Sequence, residues 1–245
     1  LVLRYPGPEL SGGVEGEVLK PAVLGTPPVG TGFGVSFSGG KDSTLALWRS
    51  VQAGASPKVL VNVLTEGGQR SRSHGLHKSL LQAQAQALGL PMVFKSATWA
   101  DYEARFTEAL GELAYLGIKD MVFGDIDLED HRVWEEKVCA QAGLTCYLPL
   151  YQQNRVALTE EFIAAGFKAV LVAVQAERLS ADFLGRVLDS QLVRELAALG
   201  VDPCGEEGEY HSLVTDGPLF AQSLVVSPGE KVLKEGYWFL DLKLS

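Results

Sequence analysis

The feature that most constrains the fold is a short apolar run at residues 34–38 that ends in Gly39-Gly40 and passes at once into a helical stretch, residues 42–53, closed by Gly54. A strand that feeds a helix through a tight glycine turn is half of a parallel β–α–β unit. The rhythm continues along the chain. Strand-like segments at 58–64, 91–95, 120–124, 145–148 and 168–174 are rich in β-branched and apolar residues. Helical segments fall between them at 75–88, 102–116 and 132–142, ended by Gly89, Gly117 and Gly143. In the first of these, Leu76, Leu80, Ala83 and Ala87 share one stripe. Thr159 is placed to cap a short helix whose first turn carries Glu160 and Glu161, and Ser180 to cap a longer one reaching Leu199. Five or six alternations predict an α/β fold: a doubly wound, mostly parallel sheet with helices on both faces. Ligands of such sheets bind beyond the carboxyl ends of the strands.

The ends of the chain read differently. Pro6-Gly7-Pro8, Gly12-Gly13 and Gly25-Thr26-Pro27-Pro28 mark residues 1–32 as a flexible leader. Residues 223–226 and 231–244 are β-rich and separated by Ser227-Pro228-Gly229-Glu230, the pattern of a hairpin. The expected organisation is therefore a leader over 1–32, a parallel-sheet domain over 33–178, and a smaller α+β subdomain over 179–245.

Composition excludes several function classes. With 47% hydrophobic and 21% charged residues in 245, the chain has the make-up of a folded globular protein. Its net charge is −9 and only Gln69-Arg70-Ser71-Arg72 is locally basic, which speaks against a nucleic-acid partner. The cysteines, Cys139, Cys146 and Cys204, are odd in number and lack C-x-x-C spacing, so a disulfide framework or zinc ribbon is not expected. No apolar run approaches the roughly 20 residues of a membrane span, and no charged-then-apolar start suggests a secretory signal. Reduced thiols and a cytoplasmic location are expected.

The chemistry concentrates in Ser36-Phe37-Ser38-Gly39-Gly40-Lys41-Asp42-Ser43. The glycines let backbone approach an anion, the N–H groups opening the helix point at it, Lys41 brings a full charge, and Ser38 and Ser43 bring hydroxyls. The loop is not G-x-x-x-x-G-K-[ST], because Val35 stands at the first glycine position and Asp42 follows the lysine. It is not a G-x-S-x-G nucleophile elbow either.

Ser38-Gly39-Gly40-Lys41-Asp42-Ser43 after the first strand resembles the signature of the PP-loop ATP pyrophosphatases. Gly124-Asp125-Ile126, Trp134-Glu135, Pro149-Leu150-Tyr151, the segment from Cys204 to Ser212, and that from Thr215 to Phe220 then resemble the diphthine–ammonia ligase branch of that superfamily. The resemblance implies the adenine nucleotide alpha hydrolase-like form of the parallel sheet. It also implies a reaction in which ATP is broken to AMP and pyrophosphate, a carboxylate is adenylated, and ammonia displaces AMP to leave an amide.

Carried onto this chain, the resemblance assigns the phosphates to Ser38, Gly39, Gly40, Lys41 and Ser43, with Gly124 beside the nucleotide. It assigns magnesium to Asp42, and catalytic roles to Lys41, Asp125, Glu206 and Glu209. Glu206, Glu209, Tyr210 and His74 are expected to meet the acceptor. That acceptor is a carboxylate-bearing small molecule or a modified protein side chain. Where the family reads E-G-G-E-Y-E, this chain has Glu207 at the second position and His211 at the last. The remaining readings are a tRNA-modifying PP-loop enzyme and a non-catalytic sensor of ATP or AMP. Homodimerisation is left open by composition.

Overall fold

The computed structural model describes residues 20–72 and 74–245. Most of the expected leader, residues 1–19, lies outside the described residues.

A five-stranded sheet is built from β1 (Gly32–Ser36), β2 (Ser56–Thr65), β3 (Met92–Ala97), β4 (Asp120–Val122) and β5 (Thr145–Tyr147), in the order β3-β2-β1-β4-β5. Every pairing is parallel. The order reverses between β1 and β4, so the crevice of the sheet opens where the chain leaves those two strands. Both faces are covered. Along β2, Val59, Val61 and Val63 pack toward α3 (Tyr102–Tyr115) and α4 (Glu129–Gln141). Leu60 and Leu64 pack in the other core, toward α1 (Lys41–Gln52) and α2 (Lys78–Ala87). That split follows from the two-residue period of a strand.

A second, four-stranded sheet comprises β6 (Lys168–Gln175), β7 (Tyr210–Asp216), β8 (Val226–Lys234) and β9 (Tyr237–Leu244), in the antiparallel order β7-β6-β9-β8. It continues the core that covers α1 and α2, so the two sheets share buried surface. The helices α5 (Arg155–Ala164) and α6 (Ser190–Ala198) complete the chain. No described helix is long and apolar enough to cross a membrane.

Several sequence expectations are corrected. The strand read at 168–174 belongs to the antiparallel sheet, not the parallel one, and that sheet therefore begins before residue 178. A run of apolar residues buried on both faces looks alike in either sheet. Ser180 caps a single 3-10 turn, Ala181–Phe183, rather than a long helix. Gly185, at φ 83°, breaks the path, Val187 bridges to Val170, and α6 starts with Asp189 accepting from the N–H groups of Gln191 and Leu192. The cap of α5 is Asn154, which leaves Thr159 buried in mid-helix with its hydroxyl on the Arg155 carbonyl. Within 20–31, Val23 bridges to Tyr147 and the Ala22 N–H donates to Glu136, so these residues line the β5 edge.

The hairpin turn of the tail is Glu235-Gly236, both at positive φ, whereas Pro228-Gly229 lies in a bulge of β8. Proline is tolerated there because β8 is an edge strand. Glu235 holds φ 51°, a region that asparagine tolerates better. Glu235→Asn is expected to raise unfolding free energy by roughly 0.5–1 kcal/mol, read from the urea midpoint. Gly124, just past β4, matters for a different reason. A Cβ there would stand 2.7 Å from the Ser43 amide nitrogen. Gly124→Ala is expected to push α1 from β4 and cost about 1–3 kcal/mol in the same measurement.

Candidate functional site

At the crevice between β1 and β4 a cleft of ≈ 580 Å³ opens between the two lobes. Its floor is the phosphate-loop segment. Gly39 takes φ 83°, which turns the chain into α1. The hydroxyls of Ser38 and Ser43 lie 3.1 Å apart, the Ser38 N–H donates to Ser43 Oγ, and the Gly40 N–H donates to Ser38 Oγ. The loop's polar groups thus satisfy one another in a shape that exposes both hydroxyls to the cleft. Lys41 is buried, with Nζ at 2.9 and 2.7 Å from the two Asp42 carboxylate oxygens and 5.6 Å from the Tyr210 ring centroid. Burial opposes its charge, but Asp42 more than offsets that and holds Lys41 firmly as a cation.

The carboxyl end of β4 supplies a second wall. Asp125 follows Gly124, and its Oδ1 lies 2.6 Å from His131 Nδ1. Burial pushes the Asp125 carboxyl up, and hydrogen bonds from His131 and Glu135 more than compensate, leaving it below its usual range. Glu135, one turn after His131 on α4, is only 2% exposed. Burial and the adjacent Asp125 charge drive it well above the usual carboxylate range. The two carboxyls are thus driven apart, Asp125 toward the anion and Glu135 toward the neutral acid.

The opposite wall is the loop 205–208 with the start of β7. Arg155 ties that loop to the first lobe, reaching Asp127 at 2.7 and 2.8 Å, Asp202 at 2.8 Å and Glu207 at 3.6 Å. Glu206 faces Asp42 and Asp125. Burial and those two charges push its carboxyl up to about 9, so it is a neutral acid at pH 7. His74 and His211 stand beside the loop with ring centroids 4.7 Å apart. Burial and the Lys41 charge bring His211 down to about 4. His74 falls well below its ordinary value through burial, His211 and Lys41. Both are neutral.

Of the residues singled out from sequence, Ser38, Lys41, Asp42, Ser43, His74, Gly124, Asp125, Glu206 and Tyr210 all line this cleft. Gly39 and Gly40 lie just behind it, packed on Gln84 and His74. Glu209 is the exception. It is buried behind the loop, where Oε1 accepts from the Asp202 N–H and Oε2 has no partner among the described residues. Successive residues entering β7 point to opposite faces, so with Tyr210 toward Lys41 its neighbour turns away. Tyr210 itself donates to the Pro203 carbonyl at 2.6 Å and presents its ring rather than its hydroxyl. Cys204 is fully buried and its thiol is pushed up to about 12, which leaves it inert. The segment from Thr215 to Phe220 sits at the far end of β7, against Phe167.

No motif marks His131, Arg155 or Gln84, and Ser212 enters only as the last residue of the acidic segment. His131 and Glu135 are four apart, a helical spacing that carries a signal. It was hidden because the helix was expected to begin at 132, whereas Glu129 and Asp130 form its first turn.

Comparison with known proteins accords with this geometry. The diphthamide synthase N-terminal domain family matches residues 33–146, and the diphthamide synthase C-terminal domain family matches residues 154–244. The diphthine–ammonia ligase of Bos taurus is 30% identical over 221 residues, covering 80% of this chain and 83% of its own length. That of Homo sapiens is 27% identical over 222 residues with the same coverage. The Schizosaccharomyces pombe enzyme is 29% identical over 219 residues, and the chain spans 36% of its length. With both lobes of the cleft matched in order, the chain belongs to the diphthine–ammonia ligase family of ATP-using, amide-forming carbon–nitrogen ligases.

Proposed function

We propose that this protein activates a carboxylate with ATP, releasing pyrophosphate, and amidates it with ammonia, AMP leaving in the second step. The observation that carries the reading is the phosphate loop at the head of α1 facing, across one cleft, Asp125 on β4 and Glu206 on the second lobe. The loop amides, the Ser38 and Ser43 hydroxyls and Lys41 hold the β- and γ-phosphates. Lys41 exchanges its bond to Asp42 for the phosphates as they enter. The neutral Glu206 donates a hydrogen bond to the bound anion without repelling it, while His74 and Tyr210 line the path of the acceptor. Relatives named for diphthine make that modified residue, presented on a protein, the first acceptor to test. Three buried, unpaired thiols suit a cytoplasmic enzyme.

Magnesium suits the donor set. Among the described residues no group of three or more His, Cys, Asp or Glu forms a cation cage. Asp42 is a single hard carboxylate beside the phosphate loop, and one or two carboxylates plus substrate phosphates are the usual magnesium environment. Asp42 would hold the ion, which would neutralise the departing pyrophosphate.

The full chain incubated with α-labelled ATP, magnesium, ammonium and diphthine-bearing protein is expected to yield AMP and pyrophosphate together with the amide. Lys41→Ala is expected to lose at least about 100-fold in rate. ADP and phosphate as products would contradict activation at the α-phosphate. Glu206 generates a pH prediction. Its folded-state value lies above the unfolded one, so the folded protein keeps a proton that the unfolded chain releases. Stability from this group is therefore highest in acid and falls between the ordinary carboxylate range and about 9. Glu206→Gln removes that loss. Its thermal midpoint is expected to exceed that of the parent by a few degrees at pH 8–9 (about the upper end of this window), with the gap closing toward pH 4 (roughly the unfolded glutamate value). A gap constant with pH would show that Glu206 stays ionised.

A further inference from the structure

We infer that His131, oriented by Asp125 and the buried Glu135, is the base that takes the proton from ammonia as it attacks the activated carboxylate. This rests on the amidation reading above.

The placement is set by local structure. Gly124 seats the end of β4 against the first turn of α1, so Asp125 stands beside the phosphate loop. The chain then loops back and enters α4, whose first turn returns His131 to Asp125 at 2.6 Å. Glu135 lies on the same helix face and bonds to Asp125 from beneath, with Oε2 unpartnered among the described residues. Two touching, buried carboxyls cannot both ionise. The proton on Glu135 is donated to Asp125, which remains an anion with His131 as its second donor. Asp125 thereby fixes the imidazole as the Nδ1–H tautomer and orients the ring, whose basic Nε2 is on the opposite edge. His131 is 29% exposed and lines the same cleft as Lys41, Asp42 and Glu206.

The chemistry needs such a group. Ammonia's lone pair forms the N–C bond, the C–O bond to AMP breaks with its electron pair going to AMP, and the nitrogen must shed one proton. The unprotonated form of His131 accepts it at Nε2, becoming an imidazolium paired to Asp125. The alternatives in the cleft are poorer bases. Glu206 already carries its proton at pH 7, and His211, at about 4, binds one too weakly. Burial lowers His131, but Asp125 and, within its own helix turn, Asp130 raise it above its ordinary value overall. Glu135 acts on it through Asp125, and Glu206 faces Asp125 from the other lobe.

The experiment separates two half-reactions of the full chain supplied with ATP, magnesium and diphthine-bearing protein. One is exchange of labelled pyrophosphate into ATP, which needs no ammonia. The other is amide formation from ammonium chloride. His131→Asn is expected to depress amide formation about 100-fold more than exchange. Glu135→Ala is expected to depress amide formation about tenfold, with Glu135→Gln recovering most of that loss, since an amide donates to Asp125 as the protonated acid does. Equal losses in both half-reactions, or Gln as poor as Ala, overturn the inference. If the parent shows neither activity, the amidation reading fails and takes this inference with it, a result distinct from equal losses in an active enzyme. Nuclear magnetic resonance titration of the His131 ring in the free protein guards against misfolded variants. Its midpoint is expected above 6.5 in the parent and lower in Asp125→Asn. A midpoint indifferent to Asp125→Asn also overturns the inference.

Discussion

The Gly39 carbonyl is the point on which the architecture turns. It accepts the Val214 N–H at 3.0 Å and the Gln84 side-chain amide at 2.9 Å, and Gln84 also donates to the Val214 carbonyl at 2.7 Å. Two residues on, the Lys41 N–H donates to Ser212 Oγ at 3.2 Å. The phosphate loop is thus sewn to β7 of the second sheet through groups that are fully buried. Each would be costly to leave unpaired, so the network sets one relative position of the two lobes. The antiparallel sheet is in this sense part of the cleft that this loop floors, not an appendage to it.

From that clamp follows the electrostatic character of the cleft. Its carboxyl groups outnumber Lys41 and Arg155, an odd lining for an anionic ligand. Burial reduces that negative charge by choosing protonation states. Glu135 and Glu206 are held as neutral acids, the two histidines beside the loop as neutral rings, and Arg155 is occupied by Asp127, Asp202 and Glu207. Lys41 and the amides at the head of α1 are what the phosphate loop itself offers an anion, with the Asp42 and Asp125 carboxylates beside them.

The parts legible in the sequence were those encoded locally. The strand–turn–helix at the loop needs glycine at a positive φ, a lysine and hydroxyls within a few residues, and each appears where expected. The acidic stretch after Cys204 was read as one functional loop, yet it divides, with Glu206 in the cleft and Glu209 behind it. Alternation along an extended segment, not charge, decided which. The strand at 168–174 was correctly seen as a strand and assigned to the wrong sheet, because burial on two faces does not say which neighbours provide them. Glu235 at a left-handed turn, in place of the more obvious Pro228-Gly229, escaped for the same kind of reason: edge position, known only from pairing, makes a proline in a strand acceptable.

The sequence by itself determined the parallel α/β class, the phosphate loop and the segments that surround it. Hydrophobic period, glycine stops and capping residues are properties of neighbours a few positions apart. Only the tertiary structure decided which side chains meet in the cleft and in what protonation state. Asp125, His131 and Glu135 form one proton-sharing group, and Gln84 and Ser212 lock the loop to a strand more than a hundred residues away. Those relations depend on distance through space and on exclusion of water, and neither can be read from order along the chain.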